Sequence, residues 1–325
     1  FSYSIIGKLQ LSYIPKRNQD AGYFISSSLH AFSRDLLNAH GFPIKPSGMT
    51  AGVIPAPSSS LGIKLFSCTL FFKANSLTNS TTTNYLRPPI TEAVIEVRVN
   101  HTLKEENVNK IVKKLQSIYP NKSTVNNLSI NITPQPEGGD QLNVNSRPEG
   151  YHLVSDDQIN IAIVSSNSLA VSQLAPYQGW EAIHKNFVEA WKIWKRVSSS
   201  HPISRIGVRY INRIDIPLQD EKKIDIEEYL TFNPQVPILS DLPMVAYLMQ
   251  ITQPIDSLWS VNITSKGIQS PLVNNLSLLL DVDVFRTKDI PLSDEGLWKA
   301  INEARSIKND IFDKCITQKT KELFY

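Results

Sequence analysis

Three observations on the sequence predict an α+β fold. Short runs of alternating apolar and polar residues recur from Ala93 to Phe285, the period of half-buried strands. Two long stretches, from Trp180 and from residue 294, carry apolar residues at helical spacing instead, as helices lying on a core do. The strand runs gather into meanders, each closed by one of those helices, which favours antiparallel sheets covered on one side.

The elements follow in order from residue 84. Arg87-Pro88-Pro89 fixes an extended approach, because the residue before a proline is pushed out of the helical region. Ala93 to Val99 reads as a strand with Ile95, Val97 and Val99 on one face and Glu96 and Arg98 on the other. Thr102-x-x-Glu105 has the spacing of a capping box, in which hydroxyl and carboxylate satisfy orphan amides at a helix start. The helix after it turns Val108, Ile111, Val112, Leu115, Ile118 and Tyr119 inward and stops at Pro120. Leu128, Ile130 and Ile132 mark a strand, and Gln141 to Asn145 a weak one after the Gly138-Gly139-Asp140 turn. Tyr151 to Val154 and Gln158 to Val164 form a hairpin around Asp156-Asp157, and Leu169 to Leu174 adds another strand. A long helix then presents Trp180, Ile183, Phe187, Ala190, Trp191 and Trp194 on one face.

A second round begins at Ser204. Ile206, Val208, Tyr210, Ile214 and Ile216 form one face of a long strand, and Asp225 to Leu230 a short helical turn. Val245 to Ile251, Trp259 to Thr264 and Leu276 to Phe285 read as strands. Residues 294–323 form a terminal helix with Leu297, Ala300, Ile301, Ala304, Ile307, Ile311, Phe312 and Cys315 inward. The string is β-α-β-β-β-β-α and then β-α-β-β-β-α. It predicts two α+β units, 84–200 and 201–325, each a curved sheet under its last helix; a single wide sheet shared by both halves is the alternative.

The 325 residues carry a net charge of +3, with 41% hydrophobic and 19% charged side chains. That composition excludes a collagen-like chain, a disulfide scaffold and a fully disordered polymer. No run approaches the roughly 18 apolar residues of a membrane-spanning helix. The charge is unevenly spread: residues 1–83 hold seven basic and two acidic side chains, leaving 26 of the 33 basic and 28 of the 30 acidic residues beyond them. The first stretch is Ser- and Thr-rich and keeps no period. A targeting peptide would be basic and acid-poor in this way, and a lipoprotein signal could run from Met49 to Cys68, although Lys64 and Phe66 fit that badly. The third reading, a poorly ordered extension packing little against the rest, is adopted as the expectation. Cys68 and Cys315 lie far apart, so no structural disulfide and a reducing cytoplasm are expected.

Four segments resemble an uncharacterised, sporadically distributed family of prokaryotic proteins. Pro88-Pro89-Ile90-Thr91-Glu92-Ala93-Val94 is similar to its PPIxEAV opening, Pro176-Tyr177-Gln178-Gly179-Trp180 to its PYxxW element, and Gly207 to Ile214 to its GxRYINRI strand. The closing helix from Phe312 to Phe324 is similar as well. The resemblance covers residues 84–325 and implies a prokaryotic origin. It brings no activity, cofactor or catalytic residue.

The strongest chemical feature is on the strand from Ser204. Arg205, Arg209 and Arg213 are spaced by four, so all three project from one strand face, about 13 Å between neighbours. Such a row could clamp a phosphate or carboxylate ligand through paired N–H donors. Equally, it could pair across strands with Glu92, Glu96, Asp281 or Asp283. Asn212 beside the row, Glu96 and Arg98 on the first core strand, and Tyr177 and Trp180 of the PYxxW element complete the candidate ligand-binding set. The tyrosine and tryptophan could instead simply anchor a loop-to-helix junction. Asp281 and Asp283 could serve as acid and base or bind a divalent ion, although edge solvation or arginine pairing explains them too.

Glycine-rich phosphate loops, G-x-S-x-G and paired-histidine metal motifs are absent from the sequence. No metal site and no cofactor are expected. The core's charge of −2 is the wrong sign for non-specific duplex binding, so nucleic acid is possible but not favoured. The expected function is therefore a non-enzymatic binding module for a protein or an anionic ligand, with a homodimer possible. The alternative is a hydrolase or nuclease working on a phosphorylated substrate through carboxylates and the arginine row.

Overall fold

A computed structural model of the chain describes residues 9–12, 85–133, 141–198, 202–218, 224–235 and 244–325. Its elements are β1 (Leu9–Ser12), β2 (Ile90–Val99), α1 (Glu105–Leu115), β3 (Asn121–Thr133), β4 (Gln141–Val154), β5 (Asn160–Ser165), β6 (Ser168–Leu174), α2 (Trp180–Ser198) and β7 (Ile203–Pro217). There follow a 3-10 turn (Ile226–Glu228), β8 (Leu248–Pro254), β9 (Trp259–Ile268), β10 (Asn275–Arg286), α3 (Asp294–Cys315) and α4 (Gln318–Glu322). The fold is mixed α and β. All ten described strands join one antiparallel sheet in the order β1-β3-β4-β5-β6-β2-β7-β10-β9-β8.

The single sheet forms because β2 and β7, the strands expected to open two separate units, pair with each other. Ala93, Ile95 and Val97 lie opposite Tyr210, Val208 and Ile206. Their pairing carries one apolar surface across the whole sheet instead of leaving two bare strand edges at its centre. α2 packs over β6 and β2, α3 over β7 and β10, and α1 against α2, β4 and β5. One contiguous core fills the space between these helices and one face of the sheet. The expected stripes supply it, with Trp180, Ile183, Phe187, Ala190, Trp191 and Trp194 of α2 all buried.

Several boundaries differ from the sequence reading, each for a tertiary reason. The Thr102–Glu105 capping box does not form: α1 starts behind an extended Lys104 that makes no side-chain cap. Leu103 is buried and donates its amide to the Ser166 carbonyl, which holds the chain extended past Thr102. Ile118 is exposed because the helix ends at Leu115, while Tyr119 turns back into the core. The weak strand at 141–145 and the first arm of the hairpin are one strand, β4, paired with β3 along its whole length. β8 starts at Leu248 rather than Val245, in register with β9 through a turn in which Asp256 accepts amide hydrogens from Leu258 and Trp259.

The terminal helix is broken at Ile316, which is extended and bridges to Leu230. Thr317 then caps α4 by accepting the Thr320 amide hydrogen. Ile307 and Ile311 lie at the edge of the core, and Lys308 takes the inward position between them. Of residues 1–83, Leu9–Ser12 pairs with β3; the expected loose extension otherwise falls outside the described residues, as does Cys68. No described helix is long and apolar enough to cross a membrane.

Ile95 is fully buried at the middle of β2. Ile95→Ala is expected to cost about 3 kcal/mol in urea unfolding, whereas Leu292→Ala, at a 94% exposed position, is expected to stay within about 0.5 kcal/mol of the parent.

Candidate functional site

The period of two sends the other side chains of β2, β7 and β10 to the sheet face away from the helices. Arg205, Arg209 and Arg213 stand there in a row, and carboxylates from all three strands meet them. Arg205 donates from Nη1 to Glu96 at 2.5 Å and from Nη2 to both oxygens of Asp283 at 2.8 and 3.0 Å. Arg98 reaches the other oxygen of Glu96 at 2.9 Å. Arg209 forks onto Asp281, Nε at 2.8 Å and Nη2 at 2.5 Å. Arg213 bonds Asp215 two residues along its own strand at 3.0 Å, and Ser277 donates to the same carboxylate. Asn262 donates to Asp283 and Ser172 to Glu92. The row is thus a cross-strand charge ladder.

Gly207 makes the first rung possible. It lies opposite Glu96 on β2 and opposite Phe285 on β10, and the Arg205 guanidinium folds back across it onto the Phe285 ring, 4.8 Å from the centroid. A Cβ at position 207 would fall on Arg205 Nη1, with Cζ at 3.0 Å. Burial works against the charge on Arg209, yet its hydrogen bonds and attraction to Asp281 hold the guanidinium above its ordinary value. Glu92, next to this rung, is pushed up by burial against the pull of its Ser172 hydrogen bond.

The remaining candidates lie on the helix side. Asn212 is buried and donates to the Leu280 carbonyl at 3.1 Å, tying β7 to β10. Tyr177 and Tyr210 share a hydroxyl–hydroxyl hydrogen bond of 2.7 Å with their rings edge to face. The Ala175–Pro176 peptide is cis, and Gly179 has φ 100°, a left-handed conformation that favours glycine at the approach to α2. Trp180 donates from Nε1 to Asn302 of α3 at 2.9 Å and carries the Arg305 guanidinium over its ring at 5.1 Å. His184 packs between Trp180 and Trp298, and its Nε2 is buried without a partner among the described residues.

Beneath this junction lies Lys308 of α3. It is 5% exposed, with Nζ 3.6 Å from the centre of the Tyr210 ring. Burial, and then repulsion from Arg305, lower its amine from 10.5 to about 7. Burial raises Tyr210 well above its ordinary range and pushes Tyr177 up as well.

The candidate set therefore divides between the two faces of one sheet. Glu96, Arg98, Arg205, Arg209 and Arg213 come together on the open face, while Asn212, Tyr177 and Trp180 belong to the helix side. Asp281 and Asp283 are ladder partners of Arg209 and Arg205. Among the described residues no group of three or more His, Cys, Asp or Glu side chains is placed to hold a metal ion. Sequence reasoning missed Arg305 and Lys308 altogether. The signal for the second was present: Leu297, Ile301, Ala304, Lys308, Phe312 and Cys315 follow one helical stripe.

No family model matches the chain, and no curated protein does. Among solved structures it is similar to DynU16, a protein in the dynemicin biosynthetic locus, at 10% identity over 69% of this chain and 97% of that one. The TM-score is 0.17, a likeness too slight to carry an argument.

Gly207→Ala should displace Arg205 from Glu96 and Asp283 and cost about 2 kcal/mol in urea unfolding. The cost should shrink when Arg205 is already alanine, since the clash is then gone. A second expectation concerns pH. Between about 7 and 10.5 the unfolded chain keeps Lys308 protonated while the folded chain does not. The unfolded state then binds more protons, so this group makes stability rise with pH, by up to about 1.4 kcal/mol per unit. Its burial penalty is full below that window and gone above it. Urea titrations across the window should lose this component in Lys308→Met, which should also be the more stable protein at neutral and acidic pH.

Proposed function

We propose that the protein is a non-enzymatic binding module built from two related α+β halves, 84–200 and 201–325, and that it belongs to the prokaryotic family its motifs resemble. The strand order supports the relation between the halves. Outward from the β2–β7 pair one half runs β6, β5, β4 and the other β10, β9, β8, and a long helix follows β6 and β10 in each case. Cys315, a buried thiol pushed up to about 12 by desolvation, suits a protein that works in the cytoplasm with this thiol reduced and unreactive.

The ladder is the observation that carries the binding reading. A hydrolase acting through Asp281, Asp283 and the arginine row would need free carboxylates and free guanidiniums on the same face. Here each of these groups is engaged by the other kind, Arg209 by Asp281 and Arg205 by Glu96 and Asp283. A paired, partly buried ladder orders strands and offers a near-neutral surface. It gives neither a general base nor an unoccupied phosphate clamp.

Native mass spectrometry of the full chain, compared with the same sample denatured, tests the reading. Extra mass that leaves on denaturation, from a small ligand or a copurifying protein, is the expected result. Metal-dependent phosphodiesterase activity that is abolished in Asp281→Asn while the fold is retained would overturn it.

A further inference from the structure

Arg98, Arg205, Arg209 and Arg213 on the open face of the sheet each pair with a carboxylate, whereas among the described residues no carboxylate lies within ion-pairing distance of Arg305 or Lys308 on the helix side, and Asp313 attracts Lys308 only from farther off. We propose that α3, β7 and the loop leading into α2 form a site for a compact oxyanion, the carboxylate or phosphate group of a small ligand, held by Lys308, Arg305 and the Tyr177–Tyr210 hydroxyl pair. The inference rests on the reading of the chain as a binding module and names the ligand class for it.

Four features point to an anion there. Lys308 is buried with its Nζ against the Tyr210 ring; the ring face offsets part of the charge, but a buried ammonium ordinarily has an anionic partner as well. Arg305 sits three residues earlier on the same helix, so the two cations neighbour and repel one another. Its guanidinium lies over the Trp180 ring at 5.1 Å from the centroid, a contact with the ring face that leaves guanidinium N–H groups for an acceptor. The Tyr177 and Tyr210 hydroxyls have two protons between them and one mutual hydrogen bond, so one O–H remains to donate.

The burial is graded in the way a binding site requires. Tyr177 and Arg305 are half-buried, whereas Lys308 and Tyr210 are buried. α2 begins at Trp180, three residues after Tyr177, and its N-terminal dipole favours negative charge at the same junction. The titratable and charged groups around Lys308 are Arg305 and Asp313 on α3, Tyr210 on β7, Tyr177 in the loop, and Glu181 and His184 on α2. An anion beside Lys308 restores its ammonium form. Binding then takes up a proton and weakens by up to about tenfold per pH unit above 7.

The test is a titration of the dialysed full chain with inorganic phosphate and, separately, with acetate, followed by tryptophan fluorescence, since Trp180 lines the site. A saturable response to either anion is expected. Lys308→Met, whose methionine suits the apolar stripe of α3, should weaken it by about tenfold or more and abolish the pH dependence; Tyr177→Phe should weaken it by a smaller factor. A response to phosphate alone assigns a phosphorylated ligand, and a response to acetate a carboxylate. No saturable response to either anion, or equal responses from the parent and a folded Lys308→Met, overturns the site. That result stands whether or not the native mass spectrum carries a ligand, so the site and the binding-module reading fail separately.

Discussion

The antiparallel pairing of β2 with β7 fixes most of what surrounds it. On one face of the pair, Ala93, Ile95, Val97, Ile206, Val208 and Tyr210 make the floor of the core on which α2 and α3 lie. On the other, Glu96, Arg98, Arg205 and Arg209 begin the ladder. A slip of one residue would exchange the two faces, sending guanidiniums under the helices and isoleucines into the ladder. Core and ladder therefore demand the same register, and β10 locks it from the far side by placing Asp283 opposite Arg209 and Phe285 opposite Gly207. Ion pairs of this partly buried kind add little net stability; their effect here is to make every other register worse.

That division of faces was legible in the sequence because it needs only a period of two. Ile206, Val208, Tyr210, Ile214 and Ile216 alternate with Arg205, Arg209 and Arg213 whatever lies beside them. The partners were less legible. Glu92, Glu96, Asp281 and Asp283 could be named as candidates, but which carboxylate meets which arginine depends on a register set by strands more than a hundred residues apart in the case of β2 and β7. Gly207 shows the limit: between two arginines it reads as a strand weakness, and its purpose appears only once Arg205 is seen lying across it. The joining of the two halves into one sheet was likewise open, since strand patterns do not say whether β2 and β7 find each other or separate neighbours.

Element ends were misread wherever a distant segment captured the backbone. Leu103 gives its amide to Ser166, and α1 starts late. Ile316 bridges to Leu230, with Thr231 and Cys315 bonded beside it, and a helix that would continue on propensity alone stops. These are contacts of high sequence separation, which local capping and periodicity rules cannot register.

The ladder and Lys308 differ in what their buried charge implies. The ladder is charge answered by charge, and it accounts for itself as a device of strand order. Lys308 is met by an aromatic ring, a neighbouring cation and only the more distant Asp313, so burial of its charge is expected to weaken the fold at neutral pH, where methionine at the same point on the stripe would not. The sequence reading passed over it because apolar neighbours, Ile307 and Ile311, were the obvious inward residues; helical geometry instead directs the stripe through position 308, between Ala304 and Phe312. A residue that costs stability where packing alone would choose otherwise is the mark of a functional position. The surroundings fit that: the Arg305 guanidinium lies over Trp180, and Tyr177 is bonded to the Tyr210 whose ring Lys308 touches.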